Sequence, residues 1–240
     1  MGLIDLHQHV VYGVDDGPKT IQESLALLKL AEQNGITHIV ATSHASPAEW
    51  AFPKRDYLNH VKELRQACQA NHIHVQLYYG CEIFYAESAV RQLQQMTIPT
   101  LAGSRYVLVE FHPKEKLDTI CQAAQQFYSN GFRPIIAHCE RYPALFRHLE
   151  VIEDLKNDLD VSFQINASTI IFDMPRKERK FRDTMLDRGL VDFVASDAHS
   201  CEHRPPRLKQ AYEWLEANYD QAYAMDLCCR NQARILHISV

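Results

Sequence analysis

The stretch LIDLHQHVVYGVDDGP, residues 3–18, begins with a short apolar run and becomes polar at His7, Gln8 and His9. The apolar run is typical of a short buried β-strand. Two histidines that lie two positions apart at the end of a strand can point the same way and bind one metal ion. The stretch therefore predicts a strand that ends in candidate metal ligands. The same pattern, an apolar run followed by a histidine or a carboxylate, recurs along the chain.

Helical stretches alternate with these strand candidates. The first helix is predicted to begin at Thr20, whose spacing to Glu23 fits a capping box, and to end at Gly35. The C-terminal stretch Leu208–Leu236 is also predicted to be helical. The strand candidates are residues 3–6, 36–41, 75–79, 106–109, 134–137, 161–165 and 191–195. Seven strands that alternate with helices predict an α/β fold with a parallel sheet or barrel.

The composition is that of an ordinary folded protein. Of the 240 residues, 46% are apolar and 23% are charged, which is far from the composition of disordered chains. No apolar run approaches the roughly 18 residues that span a bilayer, and the polar residues from Asp5 onward do not fit a secretory signal. No linker or break in composition divides the chain. We therefore expect a single domain, residues 1–240, without membrane insertion.

Charge and cysteine content narrow the class of protein further. The net charge is −5 and the isoelectric point is near 6.2, whereas proteins that coat nucleic acid usually have an isoelectric point above about 9. We expect no stable binding of nucleic acid. The seven cysteines form no CxxC pair and have no regular spacing. This usage predicts reduced thiols and a cytoplasmic location.

Polar residues of the metal-ligand type lie at or just beyond the C-terminal ends of six of the strand candidates: His7, His9, His44, Glu82, Glu110, His138, Asp197 and His199. In an α/β barrel these strand ends all meet at one face, so the residues are expected to converge. Histidine and carboxylate ligands without cysteine suit Mn²⁺, Fe²⁺ or Zn²⁺. Because one ion takes about four to six ligands, the set implies two or three ions. Clustered ions favour hydrolysis of a phosphate ester.

Four motifs occur in a fixed order along the chain: DLHQH at 5–9, VDDGP at 14–18, His138-x-x-Arg141 and Asp197-Ala198-His199. Together they resemble the polymerase-and-histidinol-phosphatase (PHP) superfamily. Within that superfamily, the DDGP segment resembles the bacterial metal-dependent tyrosine phosphatases of capsule and exopolysaccharide gene clusters. The resemblance runs from Ile4 to about Arg204.

The resemblance implies a distorted (β/α)7 barrel, the PHP fold, with three divalent metal ions, Mn²⁺ first and Fe or Zn as alternatives. It implies one ion held by His7, His9, Glu82 and Asp197, a second by Glu82, Glu110 and His138, and a third by Asp16, His44 and His199. Arg141 and Arg204 match the two arginines of the family that bind the substrate phosphate. Asp16 matches the ligand, while Asp15 is expected in a turn or a helix start. Cys139 stands where the family commonly has proline.

These implications favour a metal-dependent protein-tyrosine phosphatase that acts on a tyrosine-phosphorylated protein, expected to be a bacterial tyrosine kinase that controls polysaccharide export. Attack by metal-activated hydroxide is expected, and no residue outside the metal shell stands out as a general acid, which leaves His199 or a water for that role. Two alternatives remain open. One is a small-molecule phosphatase such as histidinol-phosphate phosphatase, and the other is a PHP-type 3′–5′ exonuclease.

Three further segments need an interpretation. Cys201–Arg207 and Cys228–Arg234 both fit the Cys-x5-Arg spacing of thiol-based tyrosine phosphatases. That chemistry needs a loop of backbone N–H groups around the phosphate, but neither segment contains glycine and Pro205 and Pro206 remove two donors. The basic segment 176–180 is expected to be a solvated loop or helix start that could attract an acidic substrate tail.

Overall fold

Short parallel strands form the centre of the fold in residues 2–239, the part of the chain that the computed structural model describes. They are β1 (Leu3–Gln8), β2 (Ile36–Ala41), β3 (His44–Ala45), β4 (Gln76–Tyr79), β5 (Glu82–Phe84), β6 (Tyr106–Glu110), β7 (Arg133–Ile136), β8 (Ser162–Asn166) and β9 (Phe193–Ala195). Each of the seven predicted strands overlaps one of them. The two additional strands, β3 and β5, follow β2 and β4 after gaps of a few residues and carry His44 and Glu82.

The strands form a curled sheet whose first and last members meet. The hydrogen-bonded orders are β1-β2-β4 and β3-β5-β6-β7-β8-β9. Gln8 at the end of β1 pairs with Ala198 just after β9 in a parallel bridge. On either side of it, Asp197 N donates to His7 O and His9 N donates to Ala198 O, both at 2.8 Å. The fold is therefore mixed α/β with a curled parallel sheet, and the chain segments that carry His7 and Asp197 lie side by side.

Ten α-helices separate or follow the strands within the described residues. They are α1 (Ile21–Gln33), α2 (Lys54–Ala70), α3 (Ala89–Gln94), α4 (Leu117–Ser129), α5 (Leu149–Leu159), α6 (Ala167–Ile171), α7 (Arg176–Asp187), α8 (Leu208–Asn218), α9 (Gln221–Met225) and α10 (Asn231–Leu236). Short 3₁₀ turns lie at Leu101–Gly103, Cys139–Arg141 and Pro143–Leu145. None of the helices between residues 2 and 239 has the length and apolar character needed to cross a membrane.

The boundaries of α1 agree with the prediction, whereas those of the C-terminal helix do not. Thr20 caps α1 through a hydrogen bond from Glu23 N, and Gly35 follows the helix with φ +75°. The predicted helical stretch Leu208–Leu236 is interrupted at Tyr219, whose φ and ψ are −124° and −101°. Asp220 then caps a new helix by accepting a hydrogen bond from Tyr223 N at 2.7 Å. A local aspartate cap therefore breaks a segment that is otherwise rich in helix-forming residues.

Strand β1 joins the apolar core to the candidate ligands. Ile4 and Leu6 are buried in one apolar cluster with Leu108, Ile135 and other residues, including several of α10. The register of β1 against β2 shifts between Asp5 and Gln8, so the regular alternation of side-chain faces does not extend to His7.

Candidate metal centre

Eight predicted strand-end residues lie together at one end of the curled sheet. His7 is near the end of β1, His44 and Glu82 begin β3 and β5, Glu110 ends β6, and His138 lies two residues beyond β7. The others, His9, Asp197 and His199, follow β1 and β9. Residues that are distant in sequence are adjacent here because every strand pairing is parallel.

The most buried part of the centre contains His7, His9 and Glu82. The Nε2 atoms of the two histidines lie 3.2 Å apart, and Glu82 Oε2 lies 3.2 Å from each of them. Asp197 Oδ1 lies 3.4 Å from His7 Nε2 and 3.7 Å from His9 Nε2. All four side chains are at most 3% exposed. Two ring nitrogens and two carboxylate oxygens therefore converge on one small volume away from bulk solvent.

Glu82 also faces a second group of ligand atoms. Its Oε1 lies 2.9 Å from His138 Nε2, and Glu110 Oε1 lies 3.4 Å from the same nitrogen. His44 Nδ1 lies 3.2 Å from Glu82 Oε2 and 3.7 Å from Glu110 Oε2. Each oxygen of Glu82 thus faces a different set of histidines, which suits a carboxylate that bridges two sites.

A third group lies at the more open side of the centre. Asp16 Oδ1 is 3.2 Å from His199 Nε2 and 3.4 Å from His44 Nε2. His9 is close enough to belong to this group as well, and its ring stacks on that of His199 with centroids 3.8 Å apart. His9, His44 and Glu82 therefore each belong to two of the three groups of ligand atoms. The resemblance implied instead that His9 binds only the first ion and His44 only the third.

The electrostatics of the centre favour bound cations. Burial lowers the pKa of His9, but its hydrogen bonds and charge interactions with Asp15 and Glu82 outweigh burial and raise that pKa to about 10. The pKa of His138 is raised to about 10 in the same way by Glu110 and Glu82. Hydrogen bonds from His199 and His44 hold the pKa of Asp16 far below its usual value. The carboxylates therefore draw positive charge to the histidine nitrogens, and divalent ions can supply that charge in place of protons.

Three local observations show that these residues fit metal ions. The side-chain donors are nitrogen and oxygen atoms only, which are the ligands of Mn²⁺, Fe²⁺ and Zn²⁺. The Nε2 atom of His199 is buried and lies 3.2 Å from Asp16 Oδ1, a pair of donor atoms of the kind that holds a metal ion. His138 and Asp197 have left-handed backbones, with φ +33° and +53°. Such conformations are costly for residues other than glycine and concentrate at functional sites.

Neighbouring polar side chains orient the histidines. Gln164 Oε1 accepts a hydrogen bond from His138 N at 3.0 Å and lies 3.1 Å from His7 Nδ1. Asp15 Oδ2 lies 2.9 Å from His9 Nδ1. Protons on these two Nδ1 atoms leave both Nε2 atoms free to bind metal. The sequence analysis did not identify Gln164, and the one signal for it was an amide between Phe163 and Ile165 in a predicted strand.

The 14–18 loop is shaped around Asp15. Its Oδ1 accepts a hydrogen bond from Gly17 N at 2.9 Å, as expected for a turn residue. Its Oδ2 also accepts one from His44 N at 3.2 Å, so Asp15 joins the loop to the metal centre. A Cβ atom at Gly17 would lie 2.6 Å from His9 O. Glycine is therefore needed for the close approach of this loop to the end of β1.

The guanidinium groups of two arginines contact the same carboxylate. Arg204 Nη2 lies 2.7 Å from Asp197 Oδ2, and Arg141 Nη2 lies 3.3 Å from that oxygen. Asn166 Nδ2 donates to it as well, at 2.8 Å. The arginine side chains are 40% and 43% exposed, so their remaining N–H donors can reach a ligand from solvent. A guanidinium pair of this kind suits the binding of a phosphate.

The cysteines of the two Cys-x5-Arg segments lie in environments that do not favour a thiolate. Burial and the charge of Glu202 raise the pKa of Cys201. Cys228 is fully buried in a π-helical turn, Asp226–Arg230, and burial raises its pKa further. The guanidinium of Arg207 lies 4.8 Å from the centre of the Phe172 ring. All seven cysteines are free thiols.

The family described as "Capsular polysaccharide synthesis, CpsB/CapC" matches residues 3–237. The chain belongs to the CpsB/CapC family. This membership confirms the resemblance to the metal-dependent tyrosine phosphatases of capsule gene clusters.

This CpsB/CapC chain is similar to several bacterial tyrosine-protein phosphatases. It is 32% identical to the tyrosine-protein phosphatase CpsB of Streptococcus agalactiae serotype V, over 98% of both chains. It is 34% identical to CpsB of Streptococcus pneumoniae over the same shares. The tyrosine-protein phosphatase YwqE of Bacillus subtilis is 24% identical over 90% of this chain and 85% of its own.

Solved structures share the fold. A structure from the work on YwqE of Bacillus subtilis and CpsB of Streptococcus pneumoniae, "unique metal-dependent tyrosine phosphatases", superposes with a TM-score of 0.88. The match covers 99% of this CpsB/CapC chain and 95% of the other at 22% identity. The phosphotriesterase homology protein of Escherichia coli superposes with a TM-score of 0.61 at 11% identity, over 98% of both chains.

Proposed function

We propose that this chain is a metal-dependent protein-tyrosine phosphatase. The observation that carries the proposal is the position of Asp197, which faces the histidine and carboxylate cluster with Oδ1 and both arginines with Oδ2. Metal ligands and phosphate-binding donors therefore share one carboxylate. The relatives named tyrosine-protein phosphatases support the same activity.

The ligands proposed for three divalent ions follow the motifs. His7, His9, Glu82 and Asp197 would hold the first ion, Glu82, Glu110 and His138 the second, and Asp16, His44 and His199 the third. Mn²⁺ is proposed, with Fe or Zn as alternatives, and the nitrogen and oxygen donors suit each of them. Divalent ions bound here would supply a hydroxide nucleophile at neutral pH and neutralise charge on the phosphoryl group.

The side chains of the protein would bind and orient the phosphate. Arg141 and Arg204 would donate hydrogen bonds to its outer oxygens while Asp197 and Asn166 hold their positions. A phenol has a pKa near 10, far below that of an alkyl alcohol, so phenolate can leave with little help from an acid. Any proton that the leaving oxygen needs is proposed to come from His199 or a water.

We also propose the partner and location of the enzyme. Its substrate would be a tyrosine-phosphorylated protein, a bacterial tyrosine kinase that controls polysaccharide export, in keeping with the capsular polysaccharide role of the family. The cytoplasm is the proposed location, because reduced thiols are typical of that compartment and the seven cysteines are free.

The proposed domain is a distorted (β/α)7 barrel formed by residues 1–240. Its strand count results if β2 with β3, and β4 with β5, are each taken as one interrupted strand. In the first of these interruptions, Thr42 N donates to Gln8 O and Ser43 O accepts a hydrogen bond from Glu82 N, so residues 42–43 stay paired with β1 and β5. The bridge between Gln8 and Ala198 would close the ring.

Substrate selection by the metal-loaded protein tests this proposal. Release of phosphate from a phosphotyrosine peptide should exceed that from histidinol phosphate, and single-stranded DNA should not be degraded. Faster turnover of histidinol phosphate would assign the chain to small-molecule phosphatases. Digestion of DNA as the fastest reaction would assign it to the exonucleases.

A further inference from the structure

A basic cleft begins two residues beyond Arg141. Its volume is about 640 Å³, and it is lined on one side by residues 143–149 and on the other by one face of α7. The rings of Phe146 and Phe181 stack in its wall, with centroids 4.8 Å apart. Arg147, Lys177 and Lys180 line it, and no aspartate or glutamate does so among the described residues.

The three cations have no carboxylate partner within residues 2–239. Nearby arginines do have such partners: Arg179 Nη1 on α7 lies 2.9 Å from Asp173 Oδ1, and Arg188 Nη2 lies 2.7 Å from Glu153 Oε1. By contrast, Arg147, Lys177 and Lys180 have no carboxylate within 4.0 Å in this part of the chain. Their charges are therefore available to a ligand, and their clustering raises the local attraction for anions.

Helix stability does not account for these charges. Four of the first five residues of α7 are lysine or arginine. The N-terminal end of a helix carries partial positive charge, so cations there are unfavourable. The basic residues within 176–180 therefore destabilise the start of α7. Residues that reduce local stability in this way are expected where they take part in binding.

The cleft is placed to receive a segment next to the phosphorylated residue. Helix α7 packs against the turn Cys139–Arg141, which carries Arg141. Two residues of chain span at most about 7 Å, so the wall at Pro143 lies close to this arginine. An extended peptide advances about 3.3 Å per residue. Side chains roughly two to four positions from a bound phosphotyrosine would therefore reach the cleft.

We propose that the cleft formed by Arg147, Lys177, Lys180 and the Phe146–Phe181 pair binds acidic residues that flank the phosphotyrosine of a protein substrate. This inference rests on the proposed phosphatase function and adds a sequence preference to it. A concave site with an apolar wall suits an extended peptide better than the flat surface of a membrane.

The test compares peptides that differ only near the phosphotyrosine. One peptide has glutamate at the positions two to four residues before and after it, and the other has glutamine there. The variant Lys177→Glu/Lys180→Glu should have a kcat/KM for the acidic peptide about fivefold to tenfold lower than that of the wild type, because it loses a few exposed ion pairs. The loss should result from a higher KM. Turnover of p-nitrophenyl phosphate and of the glutamine peptide should stay unchanged.

Two further variants serve as controls. Lys29→Glu/Lys62→Glu makes the same change of net charge with exposed lysines of α1 and α2, and should keep the preference for the acidic peptide. Lys177→Gln/Lys180→Gln removes the charges without reversing them and should give an intermediate loss. An equal loss in both glutamate variants would overturn the proposal, because it would reflect net charge alone.

A binding measurement separates this inference from the phosphatase function. Fluorescence anisotropy of an acidic peptide without phosphotyrosine should show tighter binding to the wild type than to Lys177→Glu/Lys180→Glu. No turnover of any aryl phosphate would reject the phosphatase function, while this binding still tests the cleft. Hydrolysis of both peptides with equal kcat/KM and equal binding would reject the cleft alone. Stronger binding to phosphatidylserine vesicles than to the peptide would also overturn the proposal.

Discussion

Arg204 and Asp197 form an ion pair at the edge of the candidate metal centre, with Nη2 of the arginine 2.7 Å from Oδ2 of the aspartate. The other oxygen of Asp197 lies 3.4 Å from Nε2 of His7. One buried carboxylate thus fixes the arginine at a set position relative to the histidine cluster. A phosphate bound by Arg204 would lie next to the ions that the cluster is proposed to hold.

Removal of either arginine should reduce the rate and leave the metal content intact. Loss of one preorganised donor to developing charge costs about 10²- to 10³-fold in kcat. We expect this loss in Arg141→Ala and in Arg204→Ala, whereas Arg230→Ala, which removes an ion pair with Asp226, should be unaffected. Phosphate release together with metal analysis of the purified variants provides the measurement. A variant of Arg141 or Arg204 without metal would contradict the role assigned to it.

The orientation of His9 by Asp15 should contribute to metal affinity. The hydrogen bond at 2.9 Å fixes the proton on Nδ1, and loss of such a partner typically weakens metal binding about 10- to 100-fold. Asp15→Asn should therefore need more Mn²⁺ for half-maximal activity. Asp158→Asn, a change at an exposed aspartate of α5, serves as the control. Identical Mn²⁺ titrations of all three proteins would reject this role.

The thiol of Cys201 should not act as a nucleophile. Its pKa is raised rather than lowered, and a catalytic cysteine needs a stabilised thiolate. Cys201→Ser should retain nearly the wild-type rate on a phosphotyrosine peptide. Alkylation of the metal-loaded wild type with iodoacetamide provides an independent comparison. Complete loss of activity in the serine variant would favour a thiol mechanism.

The leaving group should govern the rate. Because phenolate leaves more readily than an alkoxide, kcat/KM for a phosphotyrosine peptide should exceed that for a phosphoserine peptide and for histidinol phosphate at least tenfold, about 1.4 kcal/mol of barrier. Other aryl phosphates should also be hydrolysed. All substrates must be assayed with one metal preparation, since metal occupancy alone changes rates. Equal values for the three substrates would mean that an unrecognised group protonates the leaving oxygen.

The sequence predicts much of the fold because the strand ends carry a local signal. Apolar runs that stop at His7, Glu110 or His138 show both where a strand ends and which side chain follows it. The break at Tyr219 has a weaker local signal, because a single aspartate such as Asp220 is compatible with both a helix start and a helix interior. Its position depends on the cap formed by Asp220 and on tertiary packing.

The detailed partners within the centre could not be predicted from the sequence. His44 faces both Glu82 and Asp16, and this placement depends on the register of β3 against β5 rather than on a motif. The role of Gln164 depends likewise on side chains far away along the chain. A motif identifies which residues are candidates, whereas three-dimensional packing decides which atoms they face.

Phosphatase activity is proposed to depend on ions held by the histidine and carboxylate cluster. The most direct measurement is phosphate release from a phosphotyrosine peptide by protein treated with a chelator and then titrated with Mn²⁺, with the bound metal counted in parallel. We expect no activity after chelation, recovery as metal binds, and loss of both metal and rate in His7→Ala and Glu82→Ala. Full activity of the metal-free protein would contradict this dependence.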